Sequence, residues 1–406
     1  MSIKEYWAKH RLKVNRISRV VGIGAGSLLL GLSVVYGLRW QRQINLNQQI
    51  LEITQEKLSV NEAALASATA SLNALQADDQ FVRNEKLTAE IEAIQTEYRA
   101  AVQTYENLID LRGDSIKTSK LDGQLAAILK LLADRNWATA SSKIKELNAS
   151  IQSERDKAAA AAATAIPENV PVNNTPPGSG YARQQVQLDI GNYLVSIVSA
   201  DLNSTRVMVD TASAGTCTND CPVLALSDYV ARSGAFAGIN GPYFCPASYP
   251  SCQGKTNTFD TLIMNKNKVY FNSENNVYST VPAVIFLGNS ARFVGTTQEW
   301  GRDTGVDAVI AAQPRLVAGG NAAFGGDGDP KKGSKSNRSF IGATSNTVYI
   351  GVVHNATVAE SARVLAALGI KDALNLDAGG STALWSGGYK VGPGRALPMG
   401  ILLVRK

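Results

Sequence analysis

Two stretches of this chain put a polar side chain where a hydrophobic run ends and glycine follows. Ala235–Ile239 leads into Asn240-Gly241-Pro242-Tyr243-Phe244, and Asp372–Leu376 leads into Asp377-Ala378-Gly379-Gly380-Ser381-Thr382. A side chain at a strand end is held rigidly, and glycine beside it lets a ligand or a second backbone come close. A carboxylate placed this way can serve as nucleophile, as base, or as the stabiliser of a developing cation. Asn-Gly and Asp-x-Gly also start ordinary tight turns, so the weight lies in finding two motifs of one layout. Arg338 follows the Lys331–Lys335 charge run and precedes a glycine-containing strand start. His354 is the one histidine outside the amino-terminal tail. No G-x-S-x-G elbow accompanies it, which argues against a Ser-His-Asp hydrolase; at a strand end it reads either as lining the cleft or as structural. Two histidines exclude a zinc site built from several imidazoles, and neither metal nor cofactor is expected. Asp327-Gly328-Asp329 reads as a polar loop rather than a calcium site.

The elements around these motifs must position them. Ser227–Arg232 reads as a short helix ended by Gly234, before the strand that reaches Asn240. Thr357-Val358-Ala359-Glu360 is a capping-box pattern opening a helix to Leu368, with Gly369 suited to the position after it. Further strands are expected at 193–199, 206–209, 268–271, 283–287, 348–353 and 401–404. The class expected for residues 181–406 is α+β, a mixed β-sheet domain with packed helices, long enough to bury a substantial core. All four cysteines lie here, and local pairing is preferred among the three connectivities: Cys217 with Cys221, Cys245 with Cys252. Disulfides fit a domain outside the cytoplasm.

Upstream, the formal charge of +6 has an uneven source. Six Lys/Arg fall within residues 1–19 against Glu5 alone, and the rest of the chain is nearly neutral. A nucleic-acid binder would carry its positive charge on the folded part, so no nucleic-acid partner is expected. Val20–Leu38 has no charge over 19 residues, roughly the 28 Å needed to cross a hydrocarbon core. The basic tail predicts a cytoplasmic amino terminus, with everything after Arg39 extracytoplasmic. Tyr36-Gly37-Leu38-Arg39-Trp40 fits a signal-peptidase site poorly, so an uncleaved anchor is expected.

Residues 39–157 read as a helical stalk. Ile44, Leu51, Leu58, Leu65 and Leu72 repeat every seven residues, a narrow seam through which copies of the chain could associate. Leu87, Ile91, Ile94, Tyr98, Ala101, Tyr105 and Leu108 continue the pattern until Arg112-Gly113-Asp114-Ser115, read as a turn. Helices then follow over 121–132 and 137–151, joined as an antiparallel hairpin around Asp134-Arg135-Asn136. Nothing in this stretch reads as chemical. Residues 158–180 read as a linker.

Gly238-Ile239-Asn240-Gly241-Pro242-Tyr243-Phe244, Arg338-Ser339-Phe340-Ile341-Gly342 and Asn375-Leu376-Asp377-Ala378-Gly379-Gly380-Ser381-Thr382 occur in that order. Together they resemble the signatures of the phosphodiester glycosidase family, over roughly residues 185–406. Ala311–Val317, followed by Gly319-Gly320, is similar to a further segment of that family. Two positions depart from the pattern: Pro242 stands where glycine is usual, and Ala378 replaces the first glycine of Asp-Gly-Gly. The resemblance implies cleavage of a sugar C1–O bond with a phosphate as leaving group. A phosphate monoester, with its second pKa near ~6, departs with little proton donation, so one prominent carboxylate and one guanidinium suffice. Asp377 is then expected at the oxocarbenium-like centre, Arg338 on the phosphate through its two-pronged fork, and Asn240 on a sugar hydroxyl or the phosphate. Gly241, Tyr243, Phe244, Asn375, His354 and the donors of Gly379, Gly380, Ser381 and Thr382 are expected to bind substrate. The expected activity is hydrolysis of a sugar-1-phosphodiester in envelope or exported polysaccharide. The alternatives are a non-catalytic module binding glycan phosphates, and a structural envelope protein assembled through its stalk.

Overall fold

Both helix–glycine–strand units form. The helix Leu226–Ser233 stops at Gly234, whose φ of 61° a side-chain-bearing residue adopts only with strain, and the strand Ala237–Asn240 follows. In the second unit Thr357 Oγ1 accepts the Glu360 N–H at 3.0 Å while the Glu360 carboxylate accepts the Thr357 N–H at 2.7 Å. That reciprocal cap opens the helix Val358–Ala367, and the strand Asp372–Ala378 comes after it.

The structure, a computed structural model, describes all residues except 1–2, 78, 115, 165–168, 277–278 and 302–303. For residues 3–30, 79, 159, 162–164 and 275–276 it describes the backbone alone. Three sheets build the carboxy-terminal domain. The largest has seven strands in the order 180–188, 191–201, 347–356, 336–344, 372–378, 315–318 and 321–322. A five-stranded sheet holds 389–391, 384–386, 237–240, 399–405 and 205–211, and a second one holds 270–271, 263–264, 308–311, 283–287 and 290–294. Every ladder between these strands is antiparallel, which corrects the expectation of a mixed sheet. The helices do not cross over between parallel neighbours: the strands on either side of the helix Val358–Ala367 share one sheet with the strand Ser336–Thr344 running between them. One core joins the sheets through side chains such as Val198, Ile239, Phe286, Ile350, Leu376 and Ile401. A second core seats the helix Val358–Ala367 on the outer face of the seven-stranded sheet.

Upstream lie four helices: α1 (Ile3–Gln76), α2 (Asp79–Gly113), α3 (Ser119–Ala133) and α4 (Trp137–Thr164). The chain divides into two compact units, Met1–Ile91 and Glu92–Lys406. In the first unit the seven-residue stripe of α1 is exposed at Ile44, Leu51, Leu58, Leu65 and Leu72. In the second unit Ala101, Leu108 and Leu111 of α2 pack with Leu121, Leu125, Ile128 and Leu132 of α3 and with Ala140, Ile144, Leu147 and Ile151 of α4. The expected hairpin of α3 and α4 is therefore present, with α2 as its third member. Two boundaries move. The alanine-rich residues 158–164 prolong α4, as the strongest helix former should, so the linker is shorter than 158–180. Residues 92–157 are not a separate stalk, because they pack within the same compact unit as the family-like domain.

Among the described residues no helix is long and apolar enough to cross a membrane. Residues 20–30 of the expected anchor, whose side chains carry that reading, lie outside the residues described in full.

Candidate active site

The two strand ends singled out in the sequence come from different sheets and meet. The Asp377 N–H donates to the Gly241 carbonyl at 3.1 Å, and Asn240 Nδ2 donates to the Asp377 carbonyl at 2.8 Å. Asn240 Oδ1 accepts from Ser339 Oγ at 2.8 Å and from the Ala383 N–H at 3.2 Å. Asn240 is 0% exposed and its amide is fully engaged, so it ties the strands together beneath the site. That corrects its expected role on substrate: an amide engaged with Asp377, Ser339 and Ala383 has nothing left to offer a ligand. Gly241 likewise serves packing, since a Cβ there would meet Met399 Cγ at 2.5 Å.

Asp377 faces a chamber of about 160 Å³, with Tyr243, Phe244, Gly379, Ser381 and Arg338 among its walls. Its Oδ1 accepts the Ala378 N–H at 2.8 Å. Burial pushes the Asp377 carboxyl up to about 6; Ser381, the Ala378 N–H and Arg395 oppose that rise, and Asp110 adds to it. Tyr243 OH accepts from Asn375 Nδ2 at 2.9 Å, and burial raises its phenol to about 12. Asn375, wholly buried, stands behind Tyr243 and orients it rather than reaching the chamber.

Arg338 lines the chamber, but its fork is occupied. Nε donates to the Ala356 carbonyl at 3.0 Å, and Nη2 donates to the carbonyls of Lys331, at 2.7 Å, and Ser334. Those bonds hold the segment 331–334 against the strand Ser336–Thr344, so the two-pronged grip on phosphate through these nitrogens is not available. Burial lowers the guanidinium from its ordinary value, with Tyr243 and Asp114 acting against that; arginine stays charged at any working pH. His354 lies outside the chamber. Its Nε2 pairs with Ser196 Oγ at 2.9 Å and its Nδ1 with Asn337 Oδ1 at 3.1 Å. Burial pushes it down to about 4, leaving a neutral structural imidazole. Gly380 and Thr382 line an adjoining chamber of about 420 Å³, which shares Asp114, Arg155, Lys335, Ser336 and Gly379 with the first.

Several groups around Asp377 have no counterpart in the sequence reading. Arg395 follows a glycine-rich turn, donates its N–H to the Gly380 carbonyl at 2.8 Å, and lies 3.9 Å from Asp110. Tyr249 sits between Arg395 and Lys331, 5.4 and 4.8 Å from its ring centre. The disulfide Cys245–Cys252 closes the loop that carries Tyr249, and Cys217–Cys221 also forms, as expected. Asp110 of α2, Asp114 just after it and Arg155 of α4 also line the chamber, so part of residues 39–157, read from the sequence as free of chemistry, borders it. The one local signal for them was a pair of carboxylates four residues apart at a helix end, beside the 112–115 turn.

Five cations and three carboxyls thus face one chamber: Arg155, Lys331, Lys335, Arg338 and Arg395 against Asp110, Asp114 and Asp377. The excess of positive charge suits an anionic ligand, and Asp377 offers a carboxylate within that ligand's reach. Among the described residues no group of three His, Cys, Asp or Glu is placed to hold a metal ion.

Residues 233–404 match the model of the phosphodiester glycosidase family. The three ordered motifs all fall inside this match, which begins later than the expected residue 185. Among solved structures the chain is similar to a hypothetical protein from Synechocystis, at 13% identity and TM-score 0.39, covering 56% of this chain and 62% of that one. It is also similar to the zebrafish N-acetylglucosamine-1-phosphodiester alpha-N-acetylglucosaminidase catalytic domain auto-inhibited by its pro-peptide, at 14% identity and TM-score 0.45, covering 58% of this chain and 87% of that one. The chain therefore spans less than two thirds of the Synechocystis protein's length. No curated protein matches it. Within the family domain, Pro242 and Ala378 mark the departures noted above, and Ala378 lies in the chamber wall beside Asp377.

Proposed function

We propose that this protein hydrolyses a sugar-1-phosphodiester, breaking the bond between C1 of the sugar and the phosphate oxygen. The observation that carries the reading is Asp377, a buried carboxyl on a strand end of a phosphodiester glycosidase domain, in a chamber where cations outnumber carboxyls. The phosphodiester sits against Arg395, Lys331 and Arg155, whose charges face the chamber; Arg155 gives one nitrogen to the Asn107 carbonyl at 3.3 Å, against the three carbonyl bonds that occupy Arg338. Arg338 contributes its fixed charge and holds the 331–334 wall. Asp377 faces the anomeric carbon and stabilises the oxocarbenium-like transition state. The leaving phosphate carries off its own charge, so no strong proton donor is required. The substrate's remainder extends into the adjoining chamber past Gly379 and Gly380.

The uncharged run 20–38 and the two disulfides support an anchored, extracytoplasmic placement, with envelope or exported polysaccharide as the source of substrate. The exposed stripe of α1 supports self-association through that unit. The test is release of free sugar from an N-acetylglucosamine-1-phosphate diester and related sugar-1-phosphodiesters by the full chain. Wild type should turn over and Asp377→Asn should lose at least ~10³-fold in kcat. Equal inertness of both, with retained binding, would mean a glycan-phosphate-binding module instead.

A further inference from the structure

The end of α2 is built into the chamber, and four observations fix it there. Gly113 packs so closely that a Cβ on it would lie 3.2 Å from Gly380 Cα. Glu106 Oε1 accepts the Ser251 N–H at 3.0 Å, and Asp110 accepts the Tyr249 hydroxyl. The Asp114 N–H donates to the Asp110 carbonyl at 3.0 Å, which closes the last turn, and Asp114 belongs to the wall common to both chambers. In the same wall Ser336 lies beside Asp114, and its hydroxyl favours the Asp114 carboxylate by hydrogen bonding.

Resting on the hydrolase reading above, we infer that Asp114 is a second catalytic carboxylate, the base that takes a proton from the attacking water. The water oxygen bonds to C1 and the C1–O bond to phosphorus breaks, its electron pair leaving on the phosphate. The proton passes to Asp114 and from there to solvent. Free sugar and a phosphate monoester are the products. Asp377 faces the same carbon as the stabilising charge. Asp110, Asp114 and Arg155 lie outside residues 233–404, so the helices supply groups that the family domain does not itself carry.

The charges around Asp114 suit a base. Arg155 of α4, Arg338 of the strand Ser336–Thr344 and the Ser336 hydroxyl favour its carboxylate, while Asp110 in the last turn of α2 disfavours it. Lys335 and Asp377 share its chamber. Burial outweighs the two arginines and brings the carboxyl up to about 6 from 3.8. At pH 7 the group is mostly ionised and still accepts a proton readily, the compromise a general base needs. The open chambers on both sides of Asp114 distinguish this arrangement from a helix end that fills the site.

The experiment is steady-state hydrolysis of sugar-1-phosphodiesters by the full chain, as wild type and as Asp114→Asn, across pH 4.5–9. We expect Asp114→Asn to lose ~10²- to 10⁴-fold in kcat with KM within about threefold, and its acid limb near pH 6 to fall from a two-proton slope to the one-proton slope set by Asp377. Added formate, a small replacement base, should restore part of the rate. Should Asp114→Asn not fold, Asp114→Ser is read the same way, with thermal melting as the check on folding. Unchanged kcat, a loss recovered by more substrate, or a rise in activity showing that α2 blocks the site would each overturn the proposal. Those outcomes leave the hydrolase reading standing, whereas a wild-type chain inert on every diester overturns both.

Discussion

α1 and the helices from Glu92 onward are written in the same kind of pattern and end in opposite states. In α1, Leu58 and Leu65 of the seven-residue stripe are 58% and 68% exposed, whereas Leu108 of α2 and Leu147 of α4 are 0% and 1% exposed. The apolar period says which face of a helix avoids water; it does not say what covers that face. In the second unit the cover is two neighbouring helices, and their packing has a chemical consequence. It fixes the end of α2 firmly enough that Asp110 and Asp114 line a chamber with Asp377. A helical region that carries a seam alone can only assemble, while one that packs against a site can also take part in it.

The contrast can be broken most sharply by deletion. A chain lacking residues 1–91 should hydrolyse diesters within about twofold of the full chain, because no chamber residue is removed. A chain beginning at residue 165 should lose ~10²-fold or more, with Asp110, Asp114 and Arg155 gone; full activity in that shorter chain would end the comparison. Core truncation gives the next largest effect. Leu108→Ala should cost about 2–5 kcal/mol in urea unfolding, the usual penalty for a cavity in a packed core. Leu58→Ala and Leu65→Ala should each stay within ~0.5 kcal/mol for isolated chains, and a larger, concentration-dependent cost would show that a second copy covers the stripe.

A smaller effect tests the buried carboxyl. Asp377 titrates near 6 in the folded chain against 3.8 ordinarily, so the folded state keeps a proton that the unfolded state has already lost. Its contribution to stability is complete below about pH 4 and is lost as pH rises through 6, at most about 3 kcal/mol by the size of the shift. Asp377→Asn removes that penalty. It should melt a few degrees above wild type at pH 8, with the gap closing toward pH 4. A gap of the same size at both pH values would show that the carboxylate is not desolvated as the structure has it.

Much of the framework was legible along the chain. Gly234, Gly369 and the Thr357–Glu360 box marked their helix ends because capping is a local matter of φ and of hydrogen bonds within four residues. The strand 283–287 forms at the bounds expected, and both disulfides close between near neighbours. The strand expected at 268–271 shortens to Tyr270–Phe271, since Asn265 captures the N–H groups of Asn267 and Val269 in a turn. Asn240 and Asp377 looked alike as polar strand ends. One turned inward to bind two backbone groups and the Ser339 hydroxyl, the other toward the chamber. His354 looked available and proved engaged at both nitrogens.

What the residues determined by themselves was the resemblance carried by the carboxy-terminal motifs, the alternation of strands and helices there, and which carboxyl ends a strand beside glycines. Those properties follow from turn chemistry, period and motif order, all of which act over a few residues. The tertiary structure alone decided which cations border the chamber, that the Arg338 guanidinium is spent on carbonyls, and that a turn between two helices reaches the chamber. Such assignments depend on groups more than a hundred residues apart meeting in a desolvated space, where each polar atom's other partners decide whether it is left to act.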